Sequence, residues 1–477
     1  MTRLFDVVIV GSGAAGVAAS IEAVAIGSEV LVVDQLPYLG GTARISGGGT
    51  LAVGTKMQEE FGVKDSVEVA VNDWLNANGP DDRPWAEYYA NRSLNEVYRW
   101  AERRGVPWDH LKPPEEGNSI PRRHYPRNGG LAMMEALIQS VKDRVEWRTS
   151  ATCQSLIRED GRISGINLLD SKSGRTEEIR ARAVIFTTGG YCSNLNLILE
   201  FAPNLRKYRL MEGSGEGAKG LGHQILRQLD AAFTHLGHMC LYCYATPDYK
   251  DPQGRRGLVI RKIHGNIWVN AQGQRFHNEV DYGADRGTRA YMTQDPPQVW
   301  AILDSTMASH AEVTDPYYRR GDEIFLEKVI ELFDNSPYVK KHSTIEGLAS
   351  KIGVNPTTLT DTVKTYNTYF EQNLKRDPQF DKPLTGLKPI DAPPFYAIQF
   401  FLLARKSLGG VATNLQGQVL RRNFTPIPGL YAAGELASPA RCHIGYLGHT
   451  IGQCLLSGRL AGAGASRETG HGDGTLR

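Results

Sequence analysis

The chain has 477 residues, of which 41% are hydrophobic and 9% aromatic, so it is long enough for a large core and more than one domain. Its 54 Lys and Arg residues nearly balance its 52 Asp and Glu residues, and this near-neutral charge argues against a nucleic-acid-binding protein. No run of 18 apolar residues and no signal-peptide pattern occur, so we expect a cytoplasmic protein without a transmembrane segment, with peripheral membrane contact left open.

The first motif in the chain is a strand, a tight turn, a helix and a second strand. The strands Val7–Val10 and Val30–Val33 are wholly apolar, as buried parallel strands are. The turn between them has the G-x-G-x-x-G spacing, and the second strand ends on an acid that can accept ribose hydroxyl groups. This pattern predicts a dinucleotide site formed by Gly11, Gly13, Ala14, Ala15, Gly16, Asp34 and Gln35.

A glycine-rich stretch, GGTARISGGGT, follows at residues 40–50. A backbone with so few side chains can run along an extended cofactor, and its amides can reach a pyrophosphate and a flavin ring. A pyridine-nucleotide reductase needs two nucleotide-binding motifs, and this sequence has one copy. We therefore predict FAD, in contact with Gly41, Thr42, Ser46, Gly47 and Gly48.

Two later segments are predicted to complete the cofactor site. AVIFTTGGYCSN is an apolar strand that closes on Gly189, and IPGLYAAGE ends on Gly434 and Glu435. HTIGQCLLSGRLAG then starts a helix whose first turn, with Thr450 and Ile451, can direct its amides at the pyrimidine end of a flavin. The cofactor domain is thus split in sequence.

We predict an α/β protein with a Rossmann-like FAD-binding domain and an inserted α+β cap domain. The expected boundaries are 1–240 and 392–477 for the FAD domain and 241–391 for the cap. Within the cap, EIFLEKVIELF predicts an amphipathic helix whose apolar face comprises Leu326, Val329, Ile330 and Phe333. Cys240 and Cys243 form a single CxxC without a second pair, so we expect buried strand residues and no metal.

Six segments occur in a fixed order: VVIVGSGAAG, GGTARISGGG, VIFTTGGYCSN, GQRFHNE, IGVNPTTLTDTVKTYN and PGLYAAGE with GRLAG. Together they resemble the fumarate reductase/3-ketosteroid dehydrogenase family of FAD flavoproteins, over about residues 5–465. The resemblance implies non-covalent FAD, because residues 36–50 lack the histidine to which some relatives attach it. It also implies a substrate held over the isoalloxazine by the cap, and an external electron acceptor such as a quinone, a carrier protein or oxygen.

The two branches of this family differ in their site residues. The fumarate branch has histidines where this chain has Arg405, Lys406 and Ser407, and an arginine where it has Tyr282. The ketosteroid branch uses tyrosines, and its pattern falls on Tyr125, Tyr282 and Tyr446. The resemblance then implies that Tyr446 and the Gly448 amide polarise a carbonyl, that Tyr282 is the base, and that Tyr125 supports it or relays the proton.

These residues lead us to predict a dehydrogenase that introduces a C=C bond next to the carbonyl of a cyclic ketone. Nearby cations are either solvated surface groups or ligands of a substrate carboxylate, which favours a 4-oxocyclohexanecarboxylate-type keto acid; they are Arg405, Lys406, Arg441 and His443. A 3-ketosteroid dehydrogenase, a reductase of an unsaturated acid or enone, and a non-catalytic flavin-binding module remain alternatives. Arg275 is expected to form a structural ion pair, and the role of Glu279 is left open.

Overall fold

A computed structural model describes residues 3–114, 117–280, 286–437, 449–471 and 476. The strands follow the predicted apolar runs, and the first two parallel strands end at the predicted residues. In chain order the strands are β1 Leu4–Val10, β2 Val30–Val33, β3 Thr50–Leu51, β4 Trp108–Leu111, β5 Arg123–Pro126, β6 Glu146–Arg148, β7 Ala151–Glu159, β8 Arg162–Asp170, β9 Thr176–Phe186, β10 Leu210–Glu212, β11 Phe233–Thr234, β12 Met239–Pro247, β13 Gly257–Arg261, β14 Ile267–Val269, β15 Val299–Leu303, β16 Glu312–Val313, β17 Arg319–Arg320, β18 Glu323–Ile324, β19 Val339–His342, β20 Phe395–Ser407, β21 Gly410–Val411, β22 Gln418–Leu420 and β23 Pro426–Ala432.

Six of the described α-helices begin after a residue whose side chain accepts a hydrogen bond from one of the first free amides. Thr55, for example, caps α3 by accepting a hydrogen bond from the Gln58 amide. The α-helices are α1 Ala14–Ile26, α2 Gly41–Arg44, α3 Lys56–Glu60, α4 Val67–Asn78, α5 Arg83–Arg92, α6 Arg99–Glu102, α7 Gly129–Gln139, α8 Leu195–Phe201, α9 Leu221–Leu226, α10 Arg286–Met292, α11 Ser305–Ala308, α12 Leu326–Asn335, α13 Ile345–Ile352, α14 Pro356–Glu371 and α15 His449–Glu468.

The chain divides into two compact units. Unit 1 comprises residues 1–202, 214–240 and 406–477, and unit 2 comprises 203–213 and 241–405. The sequence predicted a domain boundary at 391/392, whereas the chain returns to unit 1 only at 405/406, because β20 continues unbroken to Ser407. Among the described residues, no helix combines the length and the apolar character that crossing a membrane requires.

Unit 1 is built on a sheet with the strand order β22-β23-β9-β1-β2-β6. Strands β23, β9, β1, β2 and β6 run parallel, and β22 and β8 pair antiparallel with β23 and β9. Val7 to Val10 lie opposite Val30 to Val33 in register, and all of these side chains are buried. The α/β class and the Rossmann-like arrangement predicted from the sequence are confirmed.

Glycines of helix α15 allow it to approach α1 closely. A Cβ atom at Gly458 would lie 2.2 Å from the Ala15 carbonyl oxygen, and one at Gly462 would lie 2.4 Å from that of Ala19. A buried ion pair also joins the two helices, since Arg459 Nε donates to Glu22 Oε2 at 2.7 Å. These contacts fix the axis of α15, and with it the position of the first turn.

A small antiparallel sheet, β3-β5-β4, follows the glycine-rich stretch in unit 1. Its central strand is anchored from one side by Arg122, which immediately precedes it and forms a bidentate ion pair with Asp65 at 2.8 and 3.0 Å. Arg122 also donates to Asp73 at 2.6 Å, and its side chain is fully buried. Because breaking a buried ion pair leaves an uncompensated charge, this network holds β5 rigidly.

Unit 2 has a mixed sheet with the order β14-β15-β20-β12-β13-β16, and helices α12, α13 and α14 belong to the same unit. It therefore has the predicted α+β character. Cys240 and Cys243 are buried in β12, and no metal-binding group of three or more His, Cys, Asp or Glu side chains occurs in the described parts of the chain.

The predicted apolar face of α12 is only partly correct. Val329 and Phe333 are buried, but Leu326 and Ile330 are 46% and 54% exposed. Leu332 is buried instead. With about 100° between successive residues, Val329, Leu332 and Phe333 share one narrow stripe, and Leu326 and Ile330 lie beside it.

Arg275 and Glu279 form the expected ion pair inside unit 2, with two bonds of 2.8 and 2.9 Å. Asp377 and Lys382 complete a buried cluster, at 2.9 Å from Arg275 and 3.1 Å from Glu279. Burial acts to raise the pKa of Glu279, but the charges of Lys382 and Arg275 outweigh it and hold the pKa below its ordinary value. Glu279 is thus an ionised structural residue that anchors the chain just before residues 281–285.

Replacing Gly458 by alanine should destabilise unit 1, because the added methyl group has no room beside the Ala15 carbonyl. We expect the free energy of unfolding to fall by about 1–3 kcal/mol, as overpacking of a tight contact does. Denaturant titration measures the change. Arg467→Ala, at an exposed position of the same helix, is the matched control and should leave stability within about 0.5 kcal/mol.

His223 should make unit 1 sensitive to acid. The ring is fully buried between Tyr191 and Phe233, and neither nitrogen has a hydrogen-bond partner among the residues that the structure describes. Burial, with a smaller contribution from the Arg227 charge, lowers the pKa of His223 from 6.5 to about 4. The unfolded chain therefore takes up this proton first as the pH falls.

The stabilising contribution of neutral His223 is complete above about pH 6.5 and is lost between that pH and about 4, by up to about 3 kcal/mol. We expect His223→Leu to flatten the pH dependence of the unfolding midpoint in this window. His310→Leu, at an exposed position, serves as control. Equal acid sensitivity of His223→Leu and the unmodified protein would show that His223 is not responsible.

Candidate functional site

The G-x-G-x-x-G turn at the carboxyl end of β1 uses its three glycines in different ways. Gly11 has φ +108°, and a Cβ atom there would lie 2.5 Å from the Thr187 carbonyl oxygen. A Cβ at Gly16 would lie 1.9 Å from the Gly11 oxygen, so both positions require glycine. Gly13, by contrast, has nothing within 4 Å of a Cβ atom. Its open backbone leads into the first turn of α1, where free amides favour a phosphate.

Asp34 directly follows β2, and its carboxylate accepts hydrogen bonds from the loops around this turn. Its Oδ2 accepts hydrogen bonds from the Ser12 amide at 2.7 Å and the Ser12 hydroxyl at 2.6 Å, while Oδ1 accepts from the Leu36 amide at 2.9 Å. The Gly40 amide in turn donates to the Ser12 carbonyl at 3.1 Å. One buried carboxylate thus ties the first glycine motif to the start of the second.

The glycine-rich stretch lies directly beside the first motif. Gly41 has φ +49°, and a Cβ atom there would be 3.3 Å from Gly13 Cα, so the two backbones are neighbours. Ser46 stabilises the following turn by accepting a hydrogen bond from the Gly48 amide at 3.1 Å. Gly48 has φ +71° and packs against the Gly130 backbone. The glycines of this stretch thus bring its backbone close to that of the first motif and to that of Gly130.

Residues 215–217 pack on the other side of the same loops. Gln35 Nε2 donates to the Gly217 carbonyl at 3.0 Å. Gly215 closely approaches the Thr42 side chain, whose hydroxyl would lie 2.4 Å from a Cβ atom at that glycine. Gln35 and Thr42 are therefore held in place in unit 1 by a segment that the sequence did not connect with them.

Gly434 and Glu435 follow β23, as predicted, next to the end of β9. Gly434 has φ +75°, and its amide donates to Ser457 Oγ on α15 at 3.0 Å. Glu435 Oε1 accepts from the Ser407 amide at 2.8 Å and the Ser407 hydroxyl at 3.0 Å. Gly189 has φ +73° and open space around it. The Glu435 carboxylate and the backbone of Gly189 and Gly434 thus lie at the carboxyl ends of β9 and β23.

The Lys406 ammonium group lies beside the first turn of α15. Lys406 Nζ donates to Thr450 Oγ1 at 2.9 Å, and both residues are half-buried. Ile451 packs against the core cluster that includes Ala14 and Ala15. Burial and the Glu435 charge raise the pKa of Cys454, one turn further on, to about 12, so its thiol stays protonated.

Tyr125 lies beneath the glycine-rich stretch. It is 8% exposed, and a Cβ atom at Gly49 would lie 2.7 Å from its ring carbon Cζ, while one at Gly47 would lie 3.3 Å from Cε1. Its ring stacks on that of His110, with centroids 5.3 Å apart. The Tyr125 hydroxyl accepts a hydrogen bond from Arg123 Nη2. The Tyr125 phenol is therefore packed against the backbone of Gly47 and Gly49.

The remaining predicted residues are not assembled by the described structure. Arg405 belongs to unit 2, where it donates to the Gly213 carbonyl. Tyr282, Tyr446, Gly448, Arg441 and His443 lie outside the described residues. Their roles stay predictions.

Sequence reasoning missed several polar residues that shape the site. Ser12 and Thr187 are examples: Ser12 is the Asp34 partner, and Thr187 Oγ1 donates to the Gly11 carbonyl at 2.7 Å. Ser12 occupies a variable position of the G-x-G motif, so the spacing alone carries no signal for it. Thr187 directly follows β9, and only the parallel pairing of β9 with β1 brings it to the turn.

The donor set fits a flavin dinucleotide. The open Gly13 backbone and α1 N-terminus suit a pyrophosphate, Asp34 suits a ribose, and the bare backbone at residues 40–50 suits an extended cofactor. Bound FAD would be held by these residues and by the Gly434–Glu435 edge.

Comparison with known proteins gives the same cofactor. A family model described as FAD binding domain matches residues 6–446. The chain is 28% identical to the vinyl phenol reductase of Lactiplantibacillus plantarum, covering 98% of this chain and 97% of that protein. It is 26% identical to the NADH:fumarate oxidoreductase of Klebsiella pneumoniae, but it spans only 48% of that longer protein.

Solved structures match over nearly the whole chain. The open conformation of a flavocytochrome c3 fumarate reductase superposes with a TM-score of 0.78 at 26% identity, covering 98% of this chain and 79% of that one. A 3-ketosteroid-Δ4-(5α)-dehydrogenase from Rhodococcus jostii RHA1 superposes with a TM-score of 0.73 at 28% identity and 97% coverage of both chains. The predicted resemblance and the predicted cofactor are confirmed. The chain therefore belongs to the FAD-binding domain family and is related within it to fumarate reductases and 3-ketosteroid dehydrogenases.

Proposed function

We propose that this protein is an FAD-dependent dehydrogenase that introduces a C=C bond next to the carbonyl of a cyclic keto acid of the 4-oxocyclohexanecarboxylate type. The observation that carries the proposal is Tyr125, a buried phenol packed against the glycine-rich stretch and hydrogen-bonded to a guanidinium. A phenol oxygen can take up or pass on the proton that enolisation releases. Replacement of the fumarate branch's histidines by Arg405, Lys406 and Ser407 supports the same choice.

Removal of two hydrogens from adjacent carbons needs a group for the proton and a group for the hydride. Bound FAD supplies the hydride acceptor. The α-proton passes to a tyrosine, either Tyr282 directly or Tyr125 as relay, while the Tyr446 hydroxyl and the Gly448 amide stabilise the enolate oxygen. Lys406, next to the first turn of α15, is the described cation in unit 1 that we assign to the substrate carboxylate. Electrons then leave to an external acceptor.

A second candidate is the reverse reaction, reduction of an alkene conjugated to a carbonyl or carboxyl group. The relative that supports it is the flavocytochrome c3 fumarate reductase, whose structure this chain matches over 79% of that protein's length. The same residues serve both directions, since the proton and hydride simply travel the other way. Only the redox partners decide between them.

Anaerobic mixing of the FAD-loaded protein with 4-oxocyclohexanecarboxylate tests the proposal, with a 3-ketosteroid as parallel substrate. We expect the keto acid alone to bleach the visible flavin band. Bleaching by the steroid alone would discard the keto acid. If neither bleaches, but an enone or unsaturated acid reoxidises the chemically reduced protein, the protein is a reductase.

Tyr125→Phe should slow the bleaching by the keto acid about 10²-fold or more, because loss of a positioned proton-transfer group has that effect. Stopped-flow absorbance gives the rate. Tyr38→Phe is the matched control: this tyrosine lies in the same unit, 39% exposed, and donates to Glu216 at 2.6 Å. Equal rates for the two variants would remove Tyr125 from the mechanism.

A further inference from the structure

The two faces of strand β5 carry different chemistry. Side chains alternate along a strand, so Arg122 and His124 point to one face and Arg123 and Tyr125 to the other. On the first face both side chains are fully buried: Arg122 is paired with Asp65 and Asp73, and His124 Nε2 lies 2.7 Å from Thr55 Oγ1. That face anchors the strand. The second face meets the glycine-rich stretch.

On the second face two cations lie close to the Tyr125 phenol. Arg123 Nη2 donates to the phenol oxygen, and Lys112 Nζ lies 4.2 Å from the centre of the ring. His110 on β4, opposite Tyr125 in register, stacks on the ring at an interplanar angle of 8°. Residues 46–50, on the remaining side, contain no ionisable side chain.

Three carboxylates that the structure describes near this sheet are bonded to other side chains. Asp109 pairs with His110 Nδ1 at 3.1 Å and with Arg127 at 3.3 Å. Asp65 and Asp73 pair with Arg122, whose side chain points to the opposite face of the strand. The described groups that face Tyr125 are therefore positive or neutral, and one of them contacts its oxygen directly.

We propose that Arg123 is a positioning residue of the reaction: its guanidinium fixes the Tyr125 oxygen as a hydrogen-bond acceptor and favours the phenolate over the phenol. This inference rests on the proposed function, in which Tyr125 takes part in proton transfer, and adds the group that compensates the charge. An opposite charge within about 4–6 Å favours the ionised form of an acid by one to three pH units.

The proton balance is complete without a further co-reactant. During desaturation the α C–H bond of the ketone breaks, and its proton passes by way of Tyr282 to the Tyr125 phenolate oxygen, where it forms an O–H bond. FAD, when bound, would accept the β-hydride. Tyr125 then releases the proton to water and returns to its Arg123-bound form. In the reductive direction the same oxygen delivers the proton. Arg123 itself never exchanges a proton, since guanidinium stays charged.

Ultraviolet difference titration of the FAD-loaded protein against Tyr125→Phe isolates the ionisation of Tyr125. We expect the unmodified protein to form this tyrosinate at a pH at least one unit lower than Arg123→Met does. Arg123→Lys, which keeps the charge but not the planar fork, should recover part of the difference. Arg127→Met, just beyond the same strand and 75% exposed, is the matched control and should titrate like the unmodified protein.

The pH profile of flavin reduction by the keto acid provides the second readout, and its acidic limb, where the rate rises as the phenolate forms, should move with the titration. Identical tyrosinate titrations in Arg123→Met and the unmodified protein would overturn the proposal. If Arg123→Met fails to fold or loses FAD, the same comparison is made with Arg123→Gln, which also removes the charge, and an unchanged titration and pH profile there would overturn the proposal. The titration needs no substrate, so a failed substrate assay with a shifted titration would refute the proposed function and leave the Arg123–Tyr125 pair standing.

Discussion

The buried Asp34 carboxylate is the interaction on which the cofactor site depends. Long stretches of glycine have no side chains with which to fix their own conformation, and glycine loses the most conformational freedom on folding. Asp34 restricts these segments by accepting three hydrogen bonds from Ser12 and Leu36. The Ser12 carbonyl in turn accepts a hydrogen bond from the Gly40 amide. The same residue that ends β2 therefore shapes both glycine segments.

The cofactor site is formed largely by backbone, and the elements that pack behind it hold that backbone in place. Helix α15 sits against α1 with no side chain at Gly458 or Gly462, which sets its first turn beside Lys406. Strand β5 is anchored by Arg122 on one face and can therefore present Tyr125 on the other. A buried ion pair stabilises each of these two elements, α15 through Arg459 and β5 through Arg122. The residues that we assign to the reaction lie on the other side of the same helix or strand.

Much of this arrangement could be predicted because it depends on local spacing. The strand Val30–Val33, the three glycines after β1 and the acid at Asp34 are consecutive features of one motif. The Thr187 contact could not, since it arises only when β9 pairs with β1, and the Ser12 contact could not because the motif leaves that position variable. The ring that stacks on Tyr125 was missed for the same reason: His110 meets Tyr125 only through the β4–β5 register. On α12, the pattern identified the helix but not which of its apolar residues would be buried.

The dissociation constant of FAD from the Asp34→Ala variant tests the central role of this carboxylate most directly. Asp170→Ala is the matched control, because Asp170 also accepts backbone hydrogen bonds, at 2.9 and 2.7 Å, but in a turn after β8. We predict that Asp34→Ala raises the dissociation constant at least tenfold, equivalent to about 1.4 kcal/mol, while Asp170→Ala leaves it unchanged. Equal FAD affinity in Asp34→Ala and the unmodified protein would contradict the account.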